Sequence, residues 1–70
     1  IVMLELILNG EARRFTTTPL TLAELIDQLG YTGKRIAVER NGEIVPKSEY
    51  GDTRLASGDR LEIVVAVGGG

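Results

Sequence analysis

The residues that could take part in chemistry lie at the end of this sequence. Three glycines, Gly68, Gly69 and Gly70, follow a largely apolar run over 61–67. Glycine has no Cβ, so a glycine tail is narrow, reaches positive φ easily and lets another protein's backbone approach closely. Such a tail suits delivery of its carboxylate into a partner's active site. A frayed end or a linker left by cloning has the same composition, and the glycines alone do not decide between these readings.

The rest of the composition excludes most catalytic chemistry. Without cysteine or histidine there is no thiolate nucleophile, no iron–sulfur cluster and no neutral-pH acid–base group. The ten acidic residues are scattered, mostly at expected turns, caps and outward strand positions. Ser48 and Ser57 have no histidine to act as base, and Thr32-Gly33-Lys34 lacks the spacing and preceding strand of a phosphate loop. We therefore expect no enzymatic activity, no metal site and no cofactor.

Length and charge indicate the class of protein and of partner. Seventy residues make one domain, expected over 3–67 with a flexible glycine tail over 68–70. Met3 is the expected natural start, and Ile1 and Val2 are an expected remnant of cloning. A net charge of −2 offers no basic surface for nucleic acid. No apolar stretch approaches the ~20 residues of a membrane span, and no signal peptide is visible, so a soluble cytoplasmic protein is expected.

Two hairpin signals organise the sequence before the tail. Asn9-Gly10 and Asn41-Gly42 are the pairs that tolerate positive φ at both turn positions, and each lies between segments of strand character. A further apolar segment precedes the glycines. The predicted strands are 4–8, 11–16, 36–40, 43–45 and 60–67.

A short helix is predicted between the hairpins. Thr21 and Glu24 have the spacing of a capping box, in which each side chain binds the other residue's backbone N–H. Gly30 is expected to end the helix in a left-handed conformation. Apolar residues follow the spacing of one buried stripe: Leu22, Leu25, Ile26 and Leu29.

These elements predict an α+β fold, a mixed sheet of about five strands with one helix packed across one face. The last strand is expected at the centre, beside the first and parallel to it, because an apolar edge strand would invite aggregation. Residues 47–57 are expected to be irregular, with Tyr50 and Leu55 as anchors.

The face of the sheet away from the helix carries a predicted docking patch. Ile7, Val64 and Ala66 are expected on this face, where water should favour polar residues. Scattered exposed apolar residues are ordinary, and a fully buried central strand is also apolar on both faces. An apolar patch beside a free tail is nevertheless typical of a docking surface.

From residue 3 to residue 70 the sequence resembles the ThiS family, the sulfur carriers of thiamine biosynthesis within the ubiquitin-like β-grasp proteins. The most specific parts are Ile36-Ala-Val-Glu-Arg-Asn-Gly-Glu-Ile-Val-Pro46, Gly58-Asp-Arg-Leu-Glu-Ile-Val64 and the ending Ala66-Val-Gly-Gly-Gly70. Many members carry histidine where Val65 stands, which removes any role for that imidazole here. The small subunit of molybdopterin synthase is a near relative, but its longer chain and Pro-Pro-Val-Ala-Gly-Gly type of ending do not match.

The resemblance implies a β-grasp fold and a chemical role for the tail. A ThiF-type enzyme would use ATP to adenylate the carboxylate of Gly70. Sulfur from a donor such as a cysteine desulfurase would then replace AMP and leave a thiocarboxylate, whose sulfur a ThiG-type thiazole synthase would accept. Gly68 and Gly69 would be the tether entering the partner's active site, and ATP and magnesium would belong to the activating enzyme.

Other functions stay open at this point. A ubiquitin-like modifier would form amide bonds through Gly70, and a carrier like the molybdopterin synthase small subunit would pass its sulfur to a different product. A stand-alone binding domain would leave the glycines as a cloning artefact.

Overall fold

The computed structural model describes residues 4–15 and 21–66. Within these ranges the order of the elements is the predicted one. They are β1 (Leu4–Leu8), β2 (Glu11–Phe15), α1 (Leu22–Gln28), β3 (Ile36–Arg40), β4 (Glu43–Val45), a 3₁₀ turn (Lys47–Glu49) and β5 (Arg60–Val65). β5 ends at Val65, so Ala66, which the sequence predicts to be part of the strand, lies outside it. The predicted strand positions 16 and 67, the expected cloning remnant and the glycine tail lie outside the described residues.

The five strands form one mixed sheet in the order β2-β1-β5-β3-β4. β5 is parallel to β1, with Ile7 opposite Arg60, and antiparallel to β3, with Ala37 opposite Val64. The two hairpin pairs are antiparallel. The prediction that the last strand lies centrally and parallel to the first is therefore confirmed.

Both hairpins turn on an Asn-Gly pair. The φ angles are 50° at Asn9 and 83° at Gly10, and 52° at Asn41 and 87° at Gly42. Positive φ at both central residues is the requirement of a type I′ turn, whose twist matches that of the flanking strands. The sequence signal for these two turns is confirmed.

The first backbone N–H groups of the helix have hydrogen-bond partners. The capping box is present: the Thr21 hydroxyl accepts from the Glu24 N–H, and the Glu24 carboxylate accepts from the Thr21 N–H. The next two backbone N–H groups of the helix are bound by the segment after β4. Leu22 donates to the carbonyl oxygen of residue 53 at 2.9 Å, and Ala23 donates to that of residue 50 at 3.0 Å. A helix of seven residues is marginal alone, so these bonds to a distant segment help to hold it.

The helix ends in the predicted left-handed glycine. Gly30 has a φ of 82°, and its N–H donates to the Asp27 carbonyl at 3.1 Å. The N–H of Tyr31 donates to the Ile26 carbonyl at 3.0 Å, which completes a Schellman motif.

The core lies between α1 and one face of the sheet. The predicted helix stripe contributes three of its buried residues, while Leu29 is only partly buried against it. Tyr50 and Leu55 also pack against the core, which confirms them as the anchors of residues 47–57. The buried apolar residues are Leu4, Leu6, Leu8, Leu22, Leu25, Ile26, Val38, Leu61 and Ile63.

Candidate functional site

The structure describes the base of the predicted reactive tail. Gly68, Gly69 and Gly70 lie outside the described residues, whereas Ala66 is described and exposed. The backbone N–H of Ala66 donates to the carbonyl oxygen of Arg35 at 2.8 Å. The chain therefore leaves the sheet at the end of β5, beside the loop that precedes β3.

The side chain of Asn9 holds β5 where β1 has ended. Its Oδ1 accepts from the N–H of Ile63 at 2.8 Å, and its Nδ2 donates to the Ile63 carbonyl at 3.2 Å. The backbone N–H of Asn9 donates to the Leu61 carbonyl at 2.9 Å, so the carboxamide continues the β1–β5 ladder by one more step. Without it, backbone polar groups beside the core would lose their partners at a cost in stability.

The start of β5 is held by a buried carboxylate. Asp59 is 7% exposed, and its oxygens accept from the N–H of Ala56 at 2.9 Å, Asn41 Nδ2 at 3.1 Å and Arg40 Nε at 3.0 Å. Burial by itself raises the pKa of Asp59, but these hydrogen bonds and the charge of Arg40 outweigh it and hold the pKa below its ordinary value. Asn41 also accepts from the N–H of Arg60 at 2.9 Å. This cluster thereby joins the second hairpin to the strand that leads to the tail.

Exposed apolar side chains lie on the outer face of the sheet, near the base of the tail. Val64 is 64% exposed and Ile44 is 77% exposed. Val64 is opposite Ala37 on β3, and Ile44 is opposite Glu39, two residues further along that strand. Residues paired across strands, and residues two apart along a strand, share a face. Ala37, Ile44 and Val64 therefore form one diagonal group, which we call the outer patch.

The predicted patch of Ile7, Val64 and Ala66 is not one surface. Val64 and Ala66 are exposed as predicted, but Ile7 is half-buried and lies opposite Arg60. Arg60 and Val64 are four positions apart on β5, about 13 Å at the rise of a strand, and the charged Glu62 lies between them. The sequence indicates the face of each residue but not the offset between β1 and β5.

Ile44 is the residue that the sequence reasoning missed. A three-residue strand with adjacent Ile44 and Val45 must place one of them on each face, because successive side chains alternate. Val45 is half-buried and packs against the core, so Ile44 points outward. The alternation was visible in the sequence, but only the pairing of β4 with β3 places Ile44 diagonally across from Ala37, the residue opposite Val64.

No candidate metal-binding cluster occurs within residues 4–15 and 21–66. No three histidine, cysteine, aspartate or glutamate side chains come close enough there to hold a metal ion. Over the same ranges no helix is long and apolar enough to span a membrane.

A mixed five-stranded sheet with a parallel central pair, one helix across it and a glycine tail after the central strand define a β-grasp protein of the ubiquitin-like class. The ThiS family model matches residues 6–70, which includes the three glycines. The chain belongs to the ThiS family.

Three relatives illustrate this membership. The chain is 37% identical over 63 residues to the sulfur carrier protein ThiS of Bacillus subtilis, covering 90% of this chain and 96% of that protein. A crystal structure of the thiamine biosynthesis protein ThiS from Geobacter metallireducens superposes with a TM-score of 0.81 at 28% identity, covering 96% of this chain and all of that one. A thiazole synthase of Paramagnetospirillum magneticum is 46% identical over 67 residues. That match covers 96% of this chain, which spans only about a fifth of the synthase.

Proposed function

We propose that this chain is a sulfur carrier for the biosynthesis of the thiazole ring of thiamine. The observation that carries the proposal is the match to the ThiS family through residue 70, glycine tail included. In this role the chain is a substrate of other proteins and not a catalyst. Its place of action is the cytoplasm.

The chemistry acts on the carboxylate of Gly70. A carboxylate is a poor electrophile, and a ThiF-type enzyme would activate it by transferring AMP from ATP, with release of pyrophosphate. The terminal sulfur of a persulfide on a donor such as a cysteine desulfurase would then displace AMP to give an acyl disulfide, and a partner's thiol would cleave its S–S bond, leaving the thiocarboxylate on Gly70 and a disulfide between the thiol and the donor cysteine. Activation and sulfur supply belong to the partners, and this chain contributes the acceptor group.

Gly68 and Gly69 serve as the tether for that group. The four residues after Ala66 reach at most about 13–14 Å when fully extended. A tail without side chains at its last three positions can pass through a channel that would exclude any larger residue. The domain would therefore stay outside while the carboxylate enters the partner's active site.

The outer patch is the proposed docking surface for the activating enzyme. Val64 and Ile44 are the two large apolar side chains that are strongly exposed among the described residues, and Val64 lies two residues before Ala66 at the base of the tail. Of the three residues predicted to dock, Val64 belongs to the outer patch and Ala66 lies beside it at the base of the tail. Ile7 is half-buried and opposite Arg60, so it lies outside the outer patch.

Thiazole synthase is the proposed acceptor of the sulfur. The match to a fifth of a protein named thiazole synthase supports this partner, since a carrier domain within a synthase chain would be held close to its acceptor.

Intact mass spectrometry tests the proposed function. The chain ending at Gly70 is incubated with ATP, a ThiF-type enzyme and a sulfur donor. We expect a mass increase equal to the exchange of one oxygen for one sulfur, located on Gly70 by fragmentation. A chain lacking Gly69 and Gly70 is the control; it should show no increase while its circular dichroism spectrum stays that of the parent.

Three results would contradict the proposal. Isopeptide adducts with lysines of other proteins would identify a protein modifier instead. The mass of this chain could also stay unchanged although the same activating enzyme modifies another ThiS-family protein. This chain would then be a binding domain whose tail takes part in no chemistry. Transfer of the sulfur to molybdopterin synthase instead of thiazole synthase would favour the molybdopterin-type carrier.

A further inference from the structure

A groove opens on the helix side of the fold, away from the outer patch. It has a volume of about 470 Å³ and lies between α1, the loop over 31–35 and the 3₁₀ turn. Its apolar lining includes Ile26, Ile36 and the half-buried rings of Tyr31 and Tyr50. The groove therefore offers apolar and aromatic surface to a ligand.

The rim of this groove is positively charged. Lys34, Arg35 and Lys47 line it, and no acidic residue does. These are three of the eight lysines and arginines in a chain of net charge −2. All three are exposed, and neither ion pair found within residues 4–15 and 21–66 involves them. Clustered charge of one sign attracts and orients a partner of the opposite sign.

The groove adjoins the base of the tail. The backbone carbonyl oxygen of Arg35 accepts a hydrogen bond from the N–H of Ala66 at 2.8 Å, and Ile36 is the cross-strand partner of Val65. A protein that occupies the groove would therefore have the start of the tail beside it. Proximity to the tail does not strengthen the binding of a small ligand, whereas a protein that receives the tail can bind the groove and the tail together.

We propose that this groove, which we call the basic groove, binds an acidic, amphipathic polypeptide segment of the protein that receives the tail. This inference rests on the proposed function, in which that protein is thiazole synthase. Alternating apolar and acidic side chains of such a segment match the apolar lining and the cationic rim.

The side chains of the groove favour a polypeptide over a free phosphate or a nucleotide. Two of the three rim cations are lysines, which present a point charge on a flexible stem, whereas phosphate sites commonly use bidentate arginines or a cradle of backbone N–H groups. The cations are exposed, so each contact contributes modestly and is screened by salt. Several weak contacts along a segment are typical of a transient protein interface.

A charge-reversal variant tests the basic groove. In the double variant Lys34→Glu/Lys47→Glu we expect the Kd for thiazole synthase, measured by isothermal titration calorimetry, to rise at least about tenfold at low salt, since the partner's acidic groups would meet like charge. The control is Arg13→Glu/Arg14→Glu on β2, at the opposite edge of the sheet, which makes the same change in net charge. Its Kd should change less than about twofold, because exposed charges outside an interface act only weakly.

A peptide titration separates the groove from the enzyme. The ¹⁵N-labelled protein is titrated with an acetylated peptide of alternating glutamate and leucine, and with its glutamine counterpart. We expect the acidic peptide to shift the amide signals of residues 31–36 and 47–50, and the glutamine peptide to leave them unchanged. Tighter binding of ATP or inorganic phosphate at the same amides would overturn the proposal, because the groove would then be a small-anion site.

The outcomes distinguish this inference from the proposed function. If the thiocarboxylate forms but the double variant, folded by circular dichroism, binds the synthase like the parent, the basic groove is wrong and the carrier role stands. If no thiocarboxylate forms while the acidic peptide still binds the parent and not the double variant, the groove stands as an acidic-peptide site and the carrier role fails.

Discussion

Replacement of Asn9 by glycine should destabilise the strand that carries the tail. The change removes the two hydrogen bonds between the Asn9 carboxamide and the backbone of Ile63, at 2.8 and 3.2 Å. Each such bond contributes about 0.5–1.5 kcal/mol net, and the added freedom of glycine in the unfolded chain contributes about 0.4–1 kcal/mol more. We expect the free energy of unfolding to fall by about 2–3 kcal/mol.

Two further substitutions separate the side chain from the backbone at this position. Asn9→Asp keeps the acceptor for the Ile63 N–H but sets a carboxylate oxygen against the Ile63 carbonyl oxygen in place of the donor, so it should also be less stable than the parent. Asn9→Ala loses both bonds and also forces alanine to a φ of 50°, which adds about 1 kcal/mol. All three variants are expected to unfold more easily than the parent.

Urea unfolding followed by circular dichroism measures these differences. In a domain of this size a loss of about 2 kcal/mol lowers Tm by roughly 8–16 °C. Hydrogen exchange should accelerate at the amide of Ile63 more than at that of Leu6, if the loss is local to the end of β5. An Asn9→Gly variant within about 0.5 kcal/mol of the parent would refute the reasoning, because the two bonds would then contribute nothing.

Three more predictions concern the core, the Asp59 cluster and the outer patch. Leu25→Ala, at a fully buried position, should lower the free energy of unfolding by about 2–5 kcal/mol; a loss below about 1 kcal/mol in urea would contradict the described core. The pKa of Asp59 is lowered in the folded state, so its stabilising contribution is present above the unfolded pKa of about 3.9 and is lost as the pH falls through the folded value. The Asp59→Asn variant should therefore be less stable than the parent at neutral pH and should lose less stability than the parent as the pH falls below about 4. If the stability of both proteins depends equally on acid pH, Asp59 is not the group that causes the acid dependence. Val64→Asp should weaken binding to a ThiF-type enzyme, measured by calorimetry, while reducing stability by less than about 1 kcal/mol; a larger loss would mean that Val64 belongs to the core.

Local sequence signals predicted the elements because their causes are local. The Asn-Gly pairs specify their turns through the positive φ that both residues tolerate, and both turns are present. The Thr21–Glu24 box and the stripe that follows it fix the start and the buried face of the helix. Even the central place of β5 followed from its apolar character, since an edge would expose it.

The candidate site was predicted only in part. The outward direction of Val64 follows from alternation along one strand, and its exposure agrees. The neighbours of Val64 depend on the offset between strands: the register puts Ala37 opposite it, Ile44 diagonally across from Ala37, and Ile7 beside Arg60. The pattern of apolar residues within one strand does not indicate the register between that strand and its neighbours.

Short-range patterns specify the elements of this protein, the face that each side chain takes, the tail and the family, because these depend on residues close together in the chain. The contacts between distant residues follow only from the folded chain. The sequence predicts Asn9 and Asn41 as turn residues, and in the structure their side chains also bind β5 from its two edges, 54 and 19 residues away. The basic groove likewise combines residues from 23 to 50. Such partners are selected by the packing of the whole chain, and short-range propensity does not encode them.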